Sequence, residues 1–243
     1  MSNVLQAEAF EAIVKTRRSV RKFDEAVTVP DEVIRKSLEL AVLSPNSSNM
    51  QLWEFIWVRS AGMRERIAPL CMGQNAARTA GHMVVIITRG DLWKERAAWN
   101  LAQASAHDDG HSKRAKLMKR YYGYLMPLLY RQDPIGFFTL VRKATSFFTG
   151  LSRPFMRLGG RGDQRVILHK SCALAAQTFM LSVTAEGFDT CPMEGFDRLR
   201  VKKALQLPRG AEICMIVAIG KGTPAGIYGE RKRVGMEEVL RTI

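Results

Sequence analysis

Apolar residues at Val33, Ile34, Leu38, Ala41 and Val42 recur at steps of three and four, the period of a helix with one buried face, and the run stops at Pro45. Pro30, followed by Asp31 and Glu32, marks the start, because proline lacks a donor that the first turn does not use and acids favour the positive helix end. A shorter helix is expected over residues 7–15, and further helices over 91–106, 167–187 and 198–205. The longest turns Leu168, Leu174, Ala175, Phe179 and Leu181 inward and ends at Gly187; the last is basic and closed by Pro208. Other stretches change period. Residues 54–58 read as a strand, and residues 83–88 form an unbroken apolar run suited to a sheet covered on both faces. A short extended piece over 188–191, a turn over 192–195 and an apolar strand over 213–220 follow. Residues 223–234, rich in glycine and charge, are expected to cross the surface as an arm.

The 243 residues are enough for one large domain with a buried core, and a single domain over 1–243 is expected. No apolar run reaches the roughly 18 to 20 residues that span a bilayer, and the first eleven residues lack the basic start and apolar run of a signal peptide. These features predict a soluble, cytoplasmic protein. Cys71, Cys172, Cys191 and Cys214 have no CxxC spacing, which predicts reduced, mostly buried thiols in place of a disulfide framework or zinc site. His107 and His111 are four apart, but Asp109-Gly110 between them predicts a loop without a third ligand, so no metal is expected. Gly159-Gly160-Arg161-Gly162 lacks the preceding strand and spaced glycines of a dinucleotide fingerprint, and GxxxxGK[ST] is absent.

The net charge of +14 changes this picture through its distribution. Between His111 and Lys170 thirteen Lys and Arg face only Asp133 and Asp163, so the excess belongs to one segment and the rest is nearly balanced. No nucleic-acid reading module accompanies it, which argues against a nucleic-acid partner.

Two separated segments carry the candidate chemistry. Arg17-Arg18-Ser19-Val20-Arg21-Lys22-Phe23 supplies guanidinium forks and a hydroxyl that match phosphate and carbonyl oxygens. Ser44-Pro45-Asn46-Ser47-Ser48-Asn49-Met50-Gln51 supplies a rigid turn with amides and hydroxyls, a polar edge able to read a heterocycle. Together they suggest a flavin. The order RRSVRKF, SPNSSNMQLWEF, CPMEGFD and a basic GERKR near the C-terminus resembles the FMN-dependent nitroreductase family over most of the chain except roughly residues 108–165. The resemblance implies an α+β fold with a central, mostly antiparallel mixed sheet flanked by helices. It also implies an intertwined homodimer with FMN at the subunit interface.

By the same resemblance, Arg17, Arg18, Ser19 and Arg21 are N-terminal FMN ligands, with Arg21 at the flavin's pyrimidine edge, where a cation favours the anionic reduced form. Pro45, Asn46, Ser47, Asn49 and Gln51 are expected to reach the flavin held by the second chain, and Gln74 or Asn75 supplies a further contact. Pro192, Met193, Glu194 and Gly195 match the loop along the isoalloxazine ring, and Arg231 and Arg233 the pair that completes the phosphate site. No side chain is assigned as catalytic, since hydride transfer occurs on FMN N5, with NADH or NADPH as donor and a nitroaromatic, quinone or related electron-poor compound as acceptor. The alternative is a flavin-binding protein without nicotinamide turnover, docked on a membrane or acidic partner. The basic, aromatic-rich insertion at about 108–165 departs from the family. It reads as extra helices interrupted at Pro127 and Pro134, as a lid over the flavin, or as a peripheral membrane contact.

Overall fold

The computed structural model describes residues 3–106, 112–157 and 159–243. Five strands, β1 (Phe23–Asp24), β2 (Trp53–Val58), β3 (His82–Arg89), β4 (Asp189–Met193) and β5 (Ala211–Gly222), form one sheet in the order β1-β5-β3-β2, with β4 also paired to β5. Every strand pairing is antiparallel, and a single parallel bridge joins Ser19 to Thr190. The helices are α1 (Asn3–Thr16), α2 (Asp31–Ala41), α3 (Ala61–Ile67), α4 (Asn75–Arg78), α5 (Trp93–Ser105), α6 (Lys113–Arg120), α7 (Met126–Tyr130), α8 (Phe137–Ser152), α9 (Arg161–Ala185), α10 (Arg198–Ala204) and α11 (Met236–Val239). This is the expected α+β class.

The unbroken apolar run becomes β3, buried along nearly its whole length because both faces are covered. Met83, Val85 and Ile87 face one cluster with Ile67, Val201, Ile216 and Ala218. Val84 and Ile86 face a second with Ile34, Ala175, Phe179 and Val217 on the side of α2 and α9. The register pairs Ile86 with Met215 but Ile87 with Ile213, so Cys214 is the extra residue of a β-bulge, and the facing of β5 reverses there.

Several boundaries move from their expected places. Helix α9 starts at Arg161, because the Asp163 carboxylate accepts from the backbone N–H groups of Gly159 (3.1 Å) and Gly160 (2.9 Å) and closes its first turn. Leu174, expected inward, is exposed; the buried stripe runs through Cys172, Ala175, Ala176, Phe179, Met180 and Val183 instead. Pro192 and Met193 belong to β4 and not to a turn. A proline is tolerated there because the edge of β4 away from β5 is bridged at Thr190, by Ser19, and not at Pro192. Helix α9 is long and apolar enough to cross a bilayer, contrary to the reading of run lengths, yet it packs across the sheet as the core helix. Cys71, Cys172 and Cys191 are buried and Cys214 half-buried, all as free thiols.

The insertion folds as α6, a π-helical turn over Tyr121–Leu125, α7 and α8. Pro127 does not interrupt it: the backbone stays helical from the π-turn through Leu125 and Met126 into α7, so the missing donor falls just past a turn where the hydrogen-bond ladder already changes register. Pro134 does fall in the break before α8. Met126 and Tyr130 form a third core cluster with Met50, Leu52 and Ala97, so the insertion is anchored on the SPNSSNMQL segment.

Candidate functional site

The arginine-rich segment leaves α1 and runs beside β4, where Val20 N–H donates to the Thr190 carbonyl at 3.1 Å. The C-terminal arm then closes over it. Arg21 N–H donates to the Gly226 carbonyl at 2.8 Å, Thr223 N–H to the Lys22 carbonyl at 3.1 Å, and Arg18 Nη2 to the Gly229 carbonyl at 2.8 Å. Only glycine fits at 226, where a Cβ would stand 2.4 Å from the Lys22 carbonyl oxygen. Arg21 is stacked over the Tyr228 ring at 5.1 Å, a contact that orients its guanidinium while leaving it exposed. Arg231 donates to the carbonyls of Val14, Lys15 (2.9 Å) and Arg17, the unsatisfied C-terminal end of α1. Arg233 is exposed, with a bond to the Lys232 carbonyl at 2.6 Å.

Burial, with Arg231, Arg233 and Arg18 close by, lowers the Arg17 pKa from its usual value. Among the described residues none of these arginines pairs with a carboxylate. The Cys191 thiol lies at the same place, pushed up by burial and pulled the other way by Arg21 and Arg17. Beside it, Thr190 Oγ1 is buried with no hydrogen-bond partner among the described residues. The cluster is a concentration of positive charge whose own chain does not neutralise it.

β4 carries the chain from that cluster into Glu194 and Gly195. Gln74, at the N-cap of α4, donates to the Gly195 carbonyl at 2.6 Å and the Cys71 carbonyl at 3.0 Å, so Gln74 and not Asn75 is the residue brought to this loop. A Cβ on Gly195 would press on the Gln74 amide at 3.2 Å. Glu194 is exposed.

The second segment is shaped differently. Ser48, Asn49 and Gln51 have φ of +56°, +50° and +48°, a left-handed conformation that L-residues adopt at a cost of order 1 kcal/mol or more each. Asn46 Oδ1 accepts from Gln51 N–H at 2.8 Å, and Ser47 N–H donates to Ser171 Oγ at 3.4 Å. Asn49 exchanges bonds with Asn100, whose Nδ2 donates to the Asn49 carbonyl and whose Oδ1 accepts from Asn49 Nδ2, both at 2.9 Å. Ser48 Oγ and Tyr121 Oη share a hydrogen bond at 2.7 Å, and Tyr122 Oη donates to the Ser48 carbonyl at 3.0 Å. Pro45 stands at the rim of an apolar cleft with Phe10 and Leu43.

Of the expected site residues, Arg17 to Arg21, Pro192 to Gly195, Gln74, Arg231 and Arg233 are therefore gathered by β4 and the arm. Among the described residues no hydrogen bond or ion pair joins residues 45–51 to that group. Tyr228, Asn100, Tyr121 and Tyr122 were missed by sequence reasoning. The aromatic and amide character of these side chains is common, and only tertiary contact singles them out. His107 and His111 lie outside the described residues, and no cluster of three His, Cys, Asp or Glu that could hold a metal occurs among the described ones. A large cleft of about 960 Å³, lined by Trp93, Tyr130, Arg161 and Glu212 among others, contains none of the expected site residues.

The chain matches the nitroreductase family over residues 14–221. The protein DrgA of Synechocystis is 29% identical over 217 residues, covering 89% of this chain and 85% of that protein. MhqN of Bacillus subtilis, named provisionally as an NAD(P)H nitroreductase, is 27% identical over 212 residues, covering 87% of this chain and 88% of that protein. A protein of Exiguobacterium sibiricum, provisionally named a nitroreductase and solved in complex with FMN, superposes with a TM-score of 0.69 at 20% identity over 96% of this chain and 97% of that one. With the family matched across most of its length and the fold shared, this chain belongs to the nitroreductase family, a family of oxidoreductases.

Proposed function

We propose that the protein is an FMN-dependent oxidoreductase that takes reducing equivalents from NADH or NADPH and reduces nitroaromatics, quinones or related electron-poor compounds. The observation that carries this reading is the uncompensated guanidinium cluster of Arg17, Arg18, Arg231 and Arg233 beside β4, a donor set that fits a phosphate. The FMN complex of the Exiguobacterium sibiricum protein and the provisional NAD(P)H name of MhqN support the cofactor and the donor. Bound here, FMN would supply two-electron hydride chemistry between the nicotinamide and the acceptor, as a ping-pong cycle requires.

This chain's residues bind and orient. Arg17, Arg18, Ser19, Arg231 and Arg233 hold the phosphate and ribityl oxygens. Arg21, steadied by Tyr228, presents its charge to the pyrimidine edge and favours the anionic form. Pro192, Met193 and Gly195 offer backbone along the ring, Glu194 orients that loop, and Gln74 fixes its end through the Gly195 carbonyl. Pro45, Asn46, Ser47, Asn49 and Gln51 complete the site on a second chain, which accounts for their separation from the arginine cluster within one chain and makes the working unit a homodimer. One slot serving both donor and acceptor explains why no separate nicotinamide motif is needed.

An anaerobic titration of FMN-loaded protein with NADH and with NADPH tests the reading. Bleaching of the flavin band near about 450 nm is expected with at least one donor. Tight, stoichiometric FMN without bleaching by either would replace it with a flavin-binding protein lacking nicotinamide turnover. Arg17→Ala is expected to weaken FMN binding by roughly ten- to a hundredfold, the worth of a charge-assisted hydrogen bond; unchanged affinity would remove Arg17 from the phosphate site.

A further inference from the structure

Helix α8 turns its polar side inward and its apolar side outward. Phe137, Leu140, Phe147, Phe148 and Leu151 fall on one helical stripe and are 55, 67, 55, 68 and 69% exposed. The opposite side is held by Arg142 and Ser146, both buried. Arg142 donates to the carbonyls of Gly159 (3.1 Å), Leu128 (3.3 Å) and Arg131 (2.7 Å) and to Thr139 Oγ1 (3.2 Å), and Ser146 Oγ donates to the Met156 carbonyl at 3.0 Å. Rolling the helix to hide its phenylalanines would break the bonds to Gly159, Leu128, Arg131 and Met156, which lie outside it. The outward stripe is therefore fixed by the fold, and a contiguous exposed apolar strip of this kind marks an interaction surface.

The surrounding charge says what covers it. Lys143, one turn before Phe147, Arg153 at the end of the helix and Arg157, which donates to the Gly150 carbonyl at 3.0 Å, border the stripe, and the two acids of this segment are engaged elsewhere. Asp133 accepts from the backbone N–H groups of Phe137 and Phe138 at 2.7 and 2.9 Å, and Asp163 closes the first turn of α9. A second copy of the same face would bring cations against cations. Anionic headgroups over an acyl layer complement both features at once, the charge and the aromatic side chains. We propose that the α8 stripe docks on an anionic lipid surface, with Phe147, Phe148 and Leu151 entering the boundary between headgroups and acyl chains and Lys143 and Arg153 meeting lipid phosphates. The inference rests on α8 alone and stands apart from the flavin reading.

Sedimentation of the full chain with phosphatidylcholine vesicles, with and without phosphatidylglycerol, tests it. The protein is expected to pellet with the phosphatidylglycerol vesicles, to stay in solution with phosphatidylcholine alone, and to be released by added salt. Phe147→Ser with Phe148→Ser should weaken binding by at least about tenfold, and Lys143→Gln with Arg153→Gln by roughly twentyfold or more. All four positions are exposed, so both variants should melt with the parent. Failure to pellet with anionic vesicles overturns the proposal, as does unchanged binding by either variant. Conversion of the parent to a smaller species by the phenylalanine substitutions, seen in sedimentation velocity, overturns it in favour of a contact between copies.

Discussion

Two faces of the molecule expose large apolar side chains, and the charges around them differ. Where α1, α2 and α9 meet, Phe10, Leu40, Leu43 and Leu181 line a shallow apolar cleft, and neighbouring charges are paired in both signs, Glu11 with Lys15 and Lys36 with Glu186 at 2.6 Å. Helix α1 buries none of its own residues, so the isolated chain gives it little reason to stay helical. On α8 the stripe is bordered by cations that have no acidic partner among the described residues. A surface ringed by both signs can meet a copy of itself across a twofold axis, because each cation finds an anion; a surface ringed by one sign cannot. The difference teaches that apolar exposure alone does not name an occupant, whereas the charge at its edge does.

The largest expected effect tests what holds the α8 stripe outward. Arg142→Met keeps the aliphatic stem but strands the carbonyls of Gly159, which is buried, and of Leu128 and Arg131, which are part-buried, where a fully buried unsatisfied acceptor costs roughly 1 to 3 kcal/mol. A loss of about 3 kcal/mol or more in urea unfolding is expected. A loss under about 1 kcal/mol would mean that something other than Arg142 sets the helix orientation, and the contrast between the faces would weaken.

Next in size is the first face. Leu40→Asp together with Leu43→Asp places two carboxylates on exposed positions of the cleft, so folding should be spared while a contact between copies should not. The expected outcome is a dimer weakened by roughly a hundredfold, from about 2 to 3 kcal/mol of lost interface energy, with FMN affinity falling in parallel. Serine substitutions at Phe147 and Phe148 should leave the dimer untouched. If the aspartates dissociate nothing, the second chain does not sit on this face, and residues 45–51 lose their proposed route to the flavin.

How much of this was legible depends on the distance over which each feature is encoded. The β3 strand and the helix between Pro30 and Pro45 are local: an unbroken apolar run and a three-four period announce themselves within a dozen residues. The start of α9 was also written locally, in Gly160 with Asp163 three residues on, and a closer look for capping residues would have found it. The types of site residue were readable for the same reason, since the arginines and the polar turn sit in short clusters. Their supports were not. Arg231 reaches back more than two hundred residues to the end of α1, Tyr122 more than seventy to Ser48, and the bulge at Cys214 has no signature apart from its partner strand. The direction of α8 was hidden most deeply, because its composition left extra helices, a lid and a membrane contact all open, and only the buried Arg142 opposite the exposed phenylalanines shows which way the helix faces.

The smallest effect joins the two faces. Pro45 borders the first, the insertion carries the second, and Tyr121 and Tyr122 are the hydrogen-bonded link between them through Ser48. Removing one neutral hydroxyl, as in Tyr122→Phe, leaves the ring in its cluster with Met50 and Leu52 and gives up a single bond to the Ser48 carbonyl, about 1 kcal/mol. Tyr121→Phe releases Ser48 Oγ in the same way. Because Ser48 is held at positive φ, that bond also supports a conformation the chain would otherwise relax. Each single variant is expected to weaken FMN binding by about fivefold, and the pair by more than the product, since both bonds restrain one residue. Full additivity would mean that the two tyrosines act separately. No change in FMN affinity, with an equal loss in folding stability, would show that the insertion braces this segment without tuning the site.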